Sequence, residues 1–251
     1  MQFKELHLQS TPLLLANVWD VPSAQAAKKL NYGAIGTSSA AIAALLGYKD
    51  GEEIPFSELA FMVKRIAANT KLPLSVDIEA GYSSEPHQIV NHIKELVDLG
   101  VQGINIEDSL VGKERSLQNA SAFSKTLETI ANELQKDNTE VFLNVRTDTF
   151  LLELENALSE TLRRSKLYAN AGASGIFVPC ITRENDISAV VKNTALPVNV
   201  MCMPVLPHFD TLTQLGVKRI SMGNFVFSEL YIHFENVMQS IRHQNSFKSL
   251  F

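Results

Sequence analysis

Eight short, almost continuously apolar runs alternate with longer amphipathic stretches along the whole chain, and this alternation is what most limits the folds open to it. The runs are LLLANVWD (13–20), AIGTSS (34–39), LPLSVDIE (72–79), GINIED (103–108), VFLNVRT (141–147), GIFVPC (175–180), LPVNVM (196–201) and RISMG (219–223). A strand with one wet face would alternate apolar and polar residues, so runs like these read as strands covered on both faces by helices. The intervening segments SELAFMVKRIAAN (57–69), EPHQIVNHIKELVDLG (85–100), NALSETLRRSKLYANAG (156–172) and SELYIHFENVMQSIRH (228–243) carry apolar residues at helical spacing. Gly100, Gly172 and Gly216 fall where helices stop, a position that favours glycine's left-handed backbone. Repeated β-then-α units in 251 residues predict a (β/α)8 TIM barrel of the α/β class, one domain across residues 1–251. A doubly wound open sheet is the runner-up, but no GxGxxG follows the first run and no Walker loop is present.

Charge and composition narrow the partners. A net charge of −5 without basic clusters argues against nucleic acid. The longest apolar stretch, AAIAALL (40–46), is far below the roughly 20 residues that span a bilayer, so no membrane partner is expected. The N-terminus carries charges where a secretory leader needs an apolar core, and Cys180 and Cys202 are too few for a disulfide scaffold. A cytoplasmic protein is the expectation. The segment from Phe225 to Phe251 holds more aromatic residues than a helix packed on its own small barrel needs; it either covers a neighbouring subunit or packs on its own barrel.

In a parallel barrel the chemistry sits at the C-terminal strand ends. Those ends read Asn17-Val18-Trp19-Asp20, Thr37-Ser38-Ser39, Asp77-Ile78-Glu79, Asn105-Ile106-Glu107-Asp108 and Asn144-Val145-Arg146-Thr147-Asp148. Side chains two apart on a strand share a face. Asp77 with Glu79, Asn105 with Glu107, and Asn144 with Arg146 and Asp148 are therefore directed to common faces of three neighbouring strands. Buried carboxylates need a partner or a metal, and oxygen ligands without a His cluster suit Mg²⁺, with Mn²⁺ possible. Arg146 offers a planar fork for a carboxylate or phosphonate. Asp108 and Asp148, each just before a loop or helix, also fit helix caps or salt-bridge partners. No strand holds a Lys for a Schiff base, and no HExxH spacing is present.

With these motifs in order, the chain resembles the isocitrate lyase/phosphoenolpyruvate mutase superfamily. The resemblance is carried by Gly47-Tyr48-Lys49-Asp50-Gly51, Asp77-Ile78-Glu79-Ala80-Gly81-Tyr82, Ile104-Asn105-Ile106-Glu107-Asp108 and Asn144-Val145-Arg146. It implies a barrel whose last helix is exchanged between subunits of a dimer or tetramer. It also implies Mg²⁺-dependent cleavage or formation of a bond next to the carbonyl of a small 2-oxo acid, through an enolate. By motif, Asp77 and Glu79 are expected in the metal shell with Glu107 as its further acid, and Arg146 at the substrate's charged end. Ser38 and Ser39 are expected at the substrate carboxylate and carbonyl, and Asp50 on a closing loop. Trp19, Lys113, Arg115 and Asn144 complete the expected substrate contacts, and Asp50, Glu107 and Arg146 the catalytic set.

The departures from the family pattern are equally informative. The lyases of this superfamily carry a Lys-Lys/Arg-Cys-Gly motif soon after the fourth strand, whereas here Gly112-Lys113-Glu114-Arg115-Ser116 puts Arg115 at or near the Cys position. The mutase uses a His after strand six, where this chain has Val178-Pro179-Cys180. The expectation is a carbon–carbon lyase or decarboxylase. The alternatives are C–P chemistry of the phosphonopyruvate hydrolase or mutase kind, and a barrel that binds a dicarboxylate without turnover.

Overall fold

A computed structural model describes residues 3–112 and 114–251. Eight strands wind around a central axis, all parallel, each followed by at least one helix. In order they are β1 (Leu13–Leu14) continued by β2 (Ala16–Val18), β3 (Ile35–Thr37), β4 (Leu74–Asp77), β5 (Gly103–Glu107), β8 (Phe142–Arg146), β9 (Gly175–Phe177), β10 (Val198–Met201) and β11 (Arg219–Ser221). The helices are α1 (Val21–Lys29), α2 (Ser39–Leu46), α3 (Phe56–Asn69), α4 (Pro86–Asp98), α5 (Ala120–Lys136), α6 (Ala157–Asn170), α7 (Glu184–Asn193), α8 (Phe209–Leu215) and α9 (Phe225–Gln244). Each of the eight apolar runs contains a barrel strand. Ser39, read as the end of the second run, instead opens α2, because the Oγ of Ser38 accepts from Ala41 N and caps that helix.

The barrel closes through its first strand. Leu13 and Leu14 pair with Arg219 and Ile220 of β11, whereas Ala16 to Val18 pair with Ile35 to Thr37 of β3. The strand thus turns from one neighbour to the other at Leu15. Asn17 holds both sides at once: its Oδ1 accepts from Met222 N at 2.7 Å and its Nδ2 donates to Thr37 O at 3.3 Å. The short helical turn Phe3–His7 closes the opposite, N-terminal end, with His7 stacked on Phe142 at 4.1 Å.

Helix faces and strands share one apolar cluster, including Ile42, Leu59, Val76, Ile93, Ile104, Phe123, Val145, Ile176 and Val200. At roughly 25 cal/mol per Å², burial of this kind is the main favourable term in the fold. The lumen is more polar. Asn105, Asn144 and Gly175 are aligned across β5, β8 and β9, and Asn144 Nδ2 donates to Asn105 Oδ1 at 2.8 Å. Gly175 is required there because a Cβ would stand 2.9 Å from Asn144 Oδ1 and from the Phe142 ring.

Two features lie outside the simple alternation. After β5 the chain makes an antiparallel hairpin, β6 (Ser109–Val111) and β7 (Arg115–Leu117), where the sequence reading has only a loop. And α9 buries none of its residues: Leu230, Ile232, Phe234 and Met238 are all at least half exposed. Among the described residues no helix is long and apolar enough to cross a membrane.

Candidate active site

The C-terminal mouth of the barrel gathers most of the expected residues. β4 ends in Asp77, whose Oδ2 accepts from Ser39 Oγ at 3.0 Å and whose Oδ1 accepts from Glu79 N at 3.3 Å. The backbone then turns sharply. Glu79 and Tyr82 both take left-handed φ values, 50° and 58°, a conformation that costs energy in non-glycine residues and gathers at functional sites. Gly81 makes the turn feasible: at φ 110° a Cβ there would lie 2.8 Å from the Ile89 side chain. The turn aims Glu79 inward, where it is 2% exposed. Its Oε1 accepts from the Tyr82 hydroxyl at 3.3 Å, and its Oε2 has no hydrogen-bond partner among the described residues.

β5, β6, β7 and β8 bring an ion network to the same mouth. Glu107 Oε2 faces Arg146 Nη1 at 3.0 Å, and Glu107 Oε1 accepts from Arg115 Nη1. Arg146 grips Asp148 with two nitrogens, Nε to Oδ1 at 2.6 Å and Nη2 to Oδ2 at 3.2 Å. Arg115 Nη1 also reaches Asp148 Oδ2 at 3.1 Å and Ser109 Oγ at 2.9 Å. The Arg146 guanidinium lies 5.9 Å from the centre of the Phe177 ring. Asp148 is therefore a salt-bridge partner and not a helix cap. Asp108 is as well: it turns away from the mouth and meets Arg164 Nη1 at 2.8 Å and Tyr168 OH at 2.7 Å.

Electrostatics set the acids apart. Burial pushes the Glu79 carboxyl up to about 8, reinforced by Asp77, Asp50, Glu107 and Glu52. Burial also raises Asp77, against the pull of Arg146 and Ser39, and raises Glu107 against Arg146 and Arg115. Burial opposes the charge of Arg146, but Glu107, Asp148 and Asp77 more than offset it and hold the guanidinium charged. The mouth is thus rich in carboxylates relative to its two arginines.

The loop after α2 lies over this cluster. Gly47 ends α2 in the left-handed region, Ile54 anchors the far side at 1% exposure, and Glu52 Oε1 accepts from Tyr82 N at 2.7 Å. Between them Asp50, half exposed, places Oδ2 3.6 Å from Arg115 Nη2.

Asp77, Glu79, Glu107, Arg146, Arg115, Asp50 and Ser39 thus meet at one mouth. Three expected contacts are otherwise engaged. Ser38 caps α2. Trp19, 6% exposed, sets its ring edge-on to Phe227 of α9 at 5.2 Å. Asn144, 1% exposed, bonds Asn105 inside the lumen. Lys113 lies outside the described residues. Sequence reasoning missed Ser109 and the Tyr82 hydroxyl. Ser109 is two residues from Glu107, a spacing that the hairpin makes meaningful.

Among the described residues no three His, Cys, Asp or Glu side chains converge on one point. Asp77 and Glu79 nevertheless supply oxygens alone, one of them buried and unpartnered, inside a surplus of negative charge. That fits Mg²⁺, which takes one or two carboxylates and keeps several waters.

The chain as a whole is similar to known proteins. Residues 3–242 match the family model described as phosphoenolpyruvate phosphomutase. An uncharacterized protein of Mycobacterium tuberculosis is 36% identical over 228 residues, covering 91% of this chain and 84% of that protein. The oxaloacetate decarboxylase of a Bradyrhizobium strain is 28% identical over 216 residues, covering 82% of this chain and 71% of that enzyme. A crystal structure of a putative phosphonomutase from Burkholderia cenocepacia superimposes with a TM-score of 0.89 at 32% identity, covering 94% of this chain and 97% of that one.

Proposed function

The chain belongs to the phosphoenolpyruvate phosphomutase family, within the isocitrate lyase/phosphoenolpyruvate mutase superfamily of enzymes, and on that premise we propose that it cleaves or forms a carbon–carbon bond next to the carbonyl of a small 2-oxo acid, as a lyase or decarboxylase. The observation that carries this reading is the pairing of Asp77 with the buried, partly unsatisfied Glu79 at the barrel mouth. Asp77 would hold Mg²⁺ directly and Glu79 through water, with Glu107 as the outer acid of the shell. When bound, the cation supplies positive charge that stabilises an enolate as the adjacent bond breaks.

The chain's own residues do the rest. Arg146, fixed by Asp148 and Glu107, keeps a permanent cation beside Asp77 and cannot swing away. Ser39, bonded to Asp77, and the Ser38 backbone border the place of the substrate's carboxylate and carbonyl oxygens. The loop bearing Asp50 closes over the mouth and excludes water, protecting a reactive carbanion from early protonation. The exposed apolar face of α9 supports assembly into a dimer or tetramer through that helix. Cytoplasmic metabolism is the setting that suits such chemistry.

Thermal unfolding with Mg²⁺ and oxalate, a mimic of the pyruvate enolate, tests the reading. A ligand at about 100 times its Kd adds roughly 2.7 kcal/mol of stability. A rise that needs both Mg²⁺ and oxalate and is absent in Asp77→Ala is the expected result. No rise in the wild-type protein in any combination would overturn the proposal.

A further inference from the structure

We propose that Arg115 selects substrates bearing a second carboxylate, and that the side chain of Asp50 occupies that carboxylate's place until substrate arrives. The inference rests on the 2-oxo acid reading above and adds to it the substrate's distal group. The two arginines of the mouth are not equivalent. Every nitrogen of Arg146 is engaged: Nε and Nη2 by Asp148, Nη1 by Glu107. On Arg115 the hydrogen bonds found among the described residues all come from one nitrogen, Nη1, whose two N–H groups are shared among Glu107, Ser109 and Asp148. Those three bonds fix the plane of its guanidinium. Its Nη2 is left with Asp50 Oδ2 at 3.6 Å, beyond hydrogen-bond range. Arg115 is therefore oriented, charged and still short of a partner on one edge.

What stands at that edge shows what fits it. It is a carboxylate, carried on a half-exposed residue of a loop whose flanking Gly47 and Gly51 take φ values of 85° and 108°. Arg115 is the only ion pair of Asp50 among the described residues. A substrate carboxylate reaching the mouth can close to hydrogen-bond distance on Nη2, which Asp50 does not, and so displaces it. The chemistry favours a carboxylate over a phosphonate, since a doubly charged group would be set against the fixed acids Glu107 and Asp148. A monocarboxylate such as pyruvate has nothing to offer this edge and leaves Asp50 in place.

Binding measured calorimetrically with Mg²⁺ present tests this with three probes: oxalate, pyruvate and the non-enolisable dicarboxylate 3,3-difluorooxaloacetate. Oxalate reports on the metal site alone. The expected result is that the wild-type protein binds the dicarboxylate roughly tenfold to hundredfold more tightly than pyruvate, as a charged hydrogen bond contributes. Arg115→Gln brings that ratio close to one, Arg115→Lys keeps part of it, and Asp50→Asn raises it by removing the competitor. A ratio that survives Arg115→Gln in a protein still binding oxalate would overturn the inference. So would a ratio that falls in Asp50→Asn, or tighter binding of phosphonopyruvate than of the dicarboxylate. Failure of the wild-type protein to bind oxalate with Mg²⁺ would instead overturn the 2-oxo acid reading, and this inference with it.

Discussion

Asp108 and Arg164 lie 56 residues apart in the chain and meet at 2.8 Å inside the protein, where Asp108 also accepts from Tyr168 and Thr147. The pair ties the end of β5 to α6 directly behind the active mouth. Removing one partner of such a pair leaves an uncompensated buried charge. Arg164→Met is therefore expected to lower stability by about 3–5 kcal/mol. A shift of the urea midpoint at constant m-value would show it. A loss under about 1 kcal/mol would mean that Asp108 finds another way to be solvated.

If Mg²⁺ binds as proposed, Glu79 gives that binding a pH dependence. With its carboxyl at about 8, it is protonated near neutrality, and Mg²⁺ must compete with that proton. Apparent Mg²⁺ affinity is expected to rise up to tenfold per pH unit and to level off above about 8. The sign for folding is opposite. An acid raised in the fold contributes stability below the unfolded value of 4.5, lost as pH rises toward 8, so the metal-free protein weakens over that window. Titrations of Mg²⁺ at several pH values check both, and Glu79→Gln is expected to flatten both slopes.

His7 gives the opposite acid response at the other end of the barrel. Burial, then the nearby Arg219, lowers its imidazole from 6.5 to about 3, so it is neutral in the fold. A base depressed in this way contributes its full stability above 6.5 and loses it as pH falls toward 3. The loss is about 1.4 kcal/mol per pH unit below 6.5. Comparing the wild-type protein with His7→Phe between pH 7 and pH 4 isolates this contribution. The gap between them is expected to shrink on acidification, and a constant gap would contradict the assignment.

Arg146→Lys keeps the charge but loses the two-pronged grip on Asp148. The loss in kcat/KM is expected to be about 10²- to 10³-fold, comparable to removing one preorganised electrostatic donor. Circular dichroism on the same sample would show an intact fold. Activity within a few-fold of wild type would mean that only the charge matters.

The barrel and its mouth are legible in the sequence because both rest on local periodicity. Apolar runs mark the strands, and residues two apart, such as Asp77 and Glu79, declare a shared face. What is not legible is set by contacts across the chain. Nothing local shows that Arg164 and Tyr168, four apart on α6, reach Asp108. The segment around Arg115 reads as a loop because its short strands mix polar and apolar residues and form no apolar run, and its pairing depends on Ser109 meeting Leu117. Arg219 opens a run that reads as an ordinary strand. In the fold its side chain is 1% exposed and crosses toward Asn105, at 3.4 Å, with two nitrogens lacking partners among the described residues.

The turn of the first strand at Leu15 has a mechanical consequence. Elsewhere a barrel strand is bonded along both edges, but here Leu13 and Leu14 pair only with β11, and Ala16 to Val18 only with β3. The barrel is a rolled sheet with a single seam, closed where one strand changes partner at Leu15. Asn17 acts as the pin across it, its amide gripping Met222 on one side and Thr37 on the other. Under thermal agitation the cylinder should part there first, and amide exchange along the seam should run ahead of that in β5 and β8.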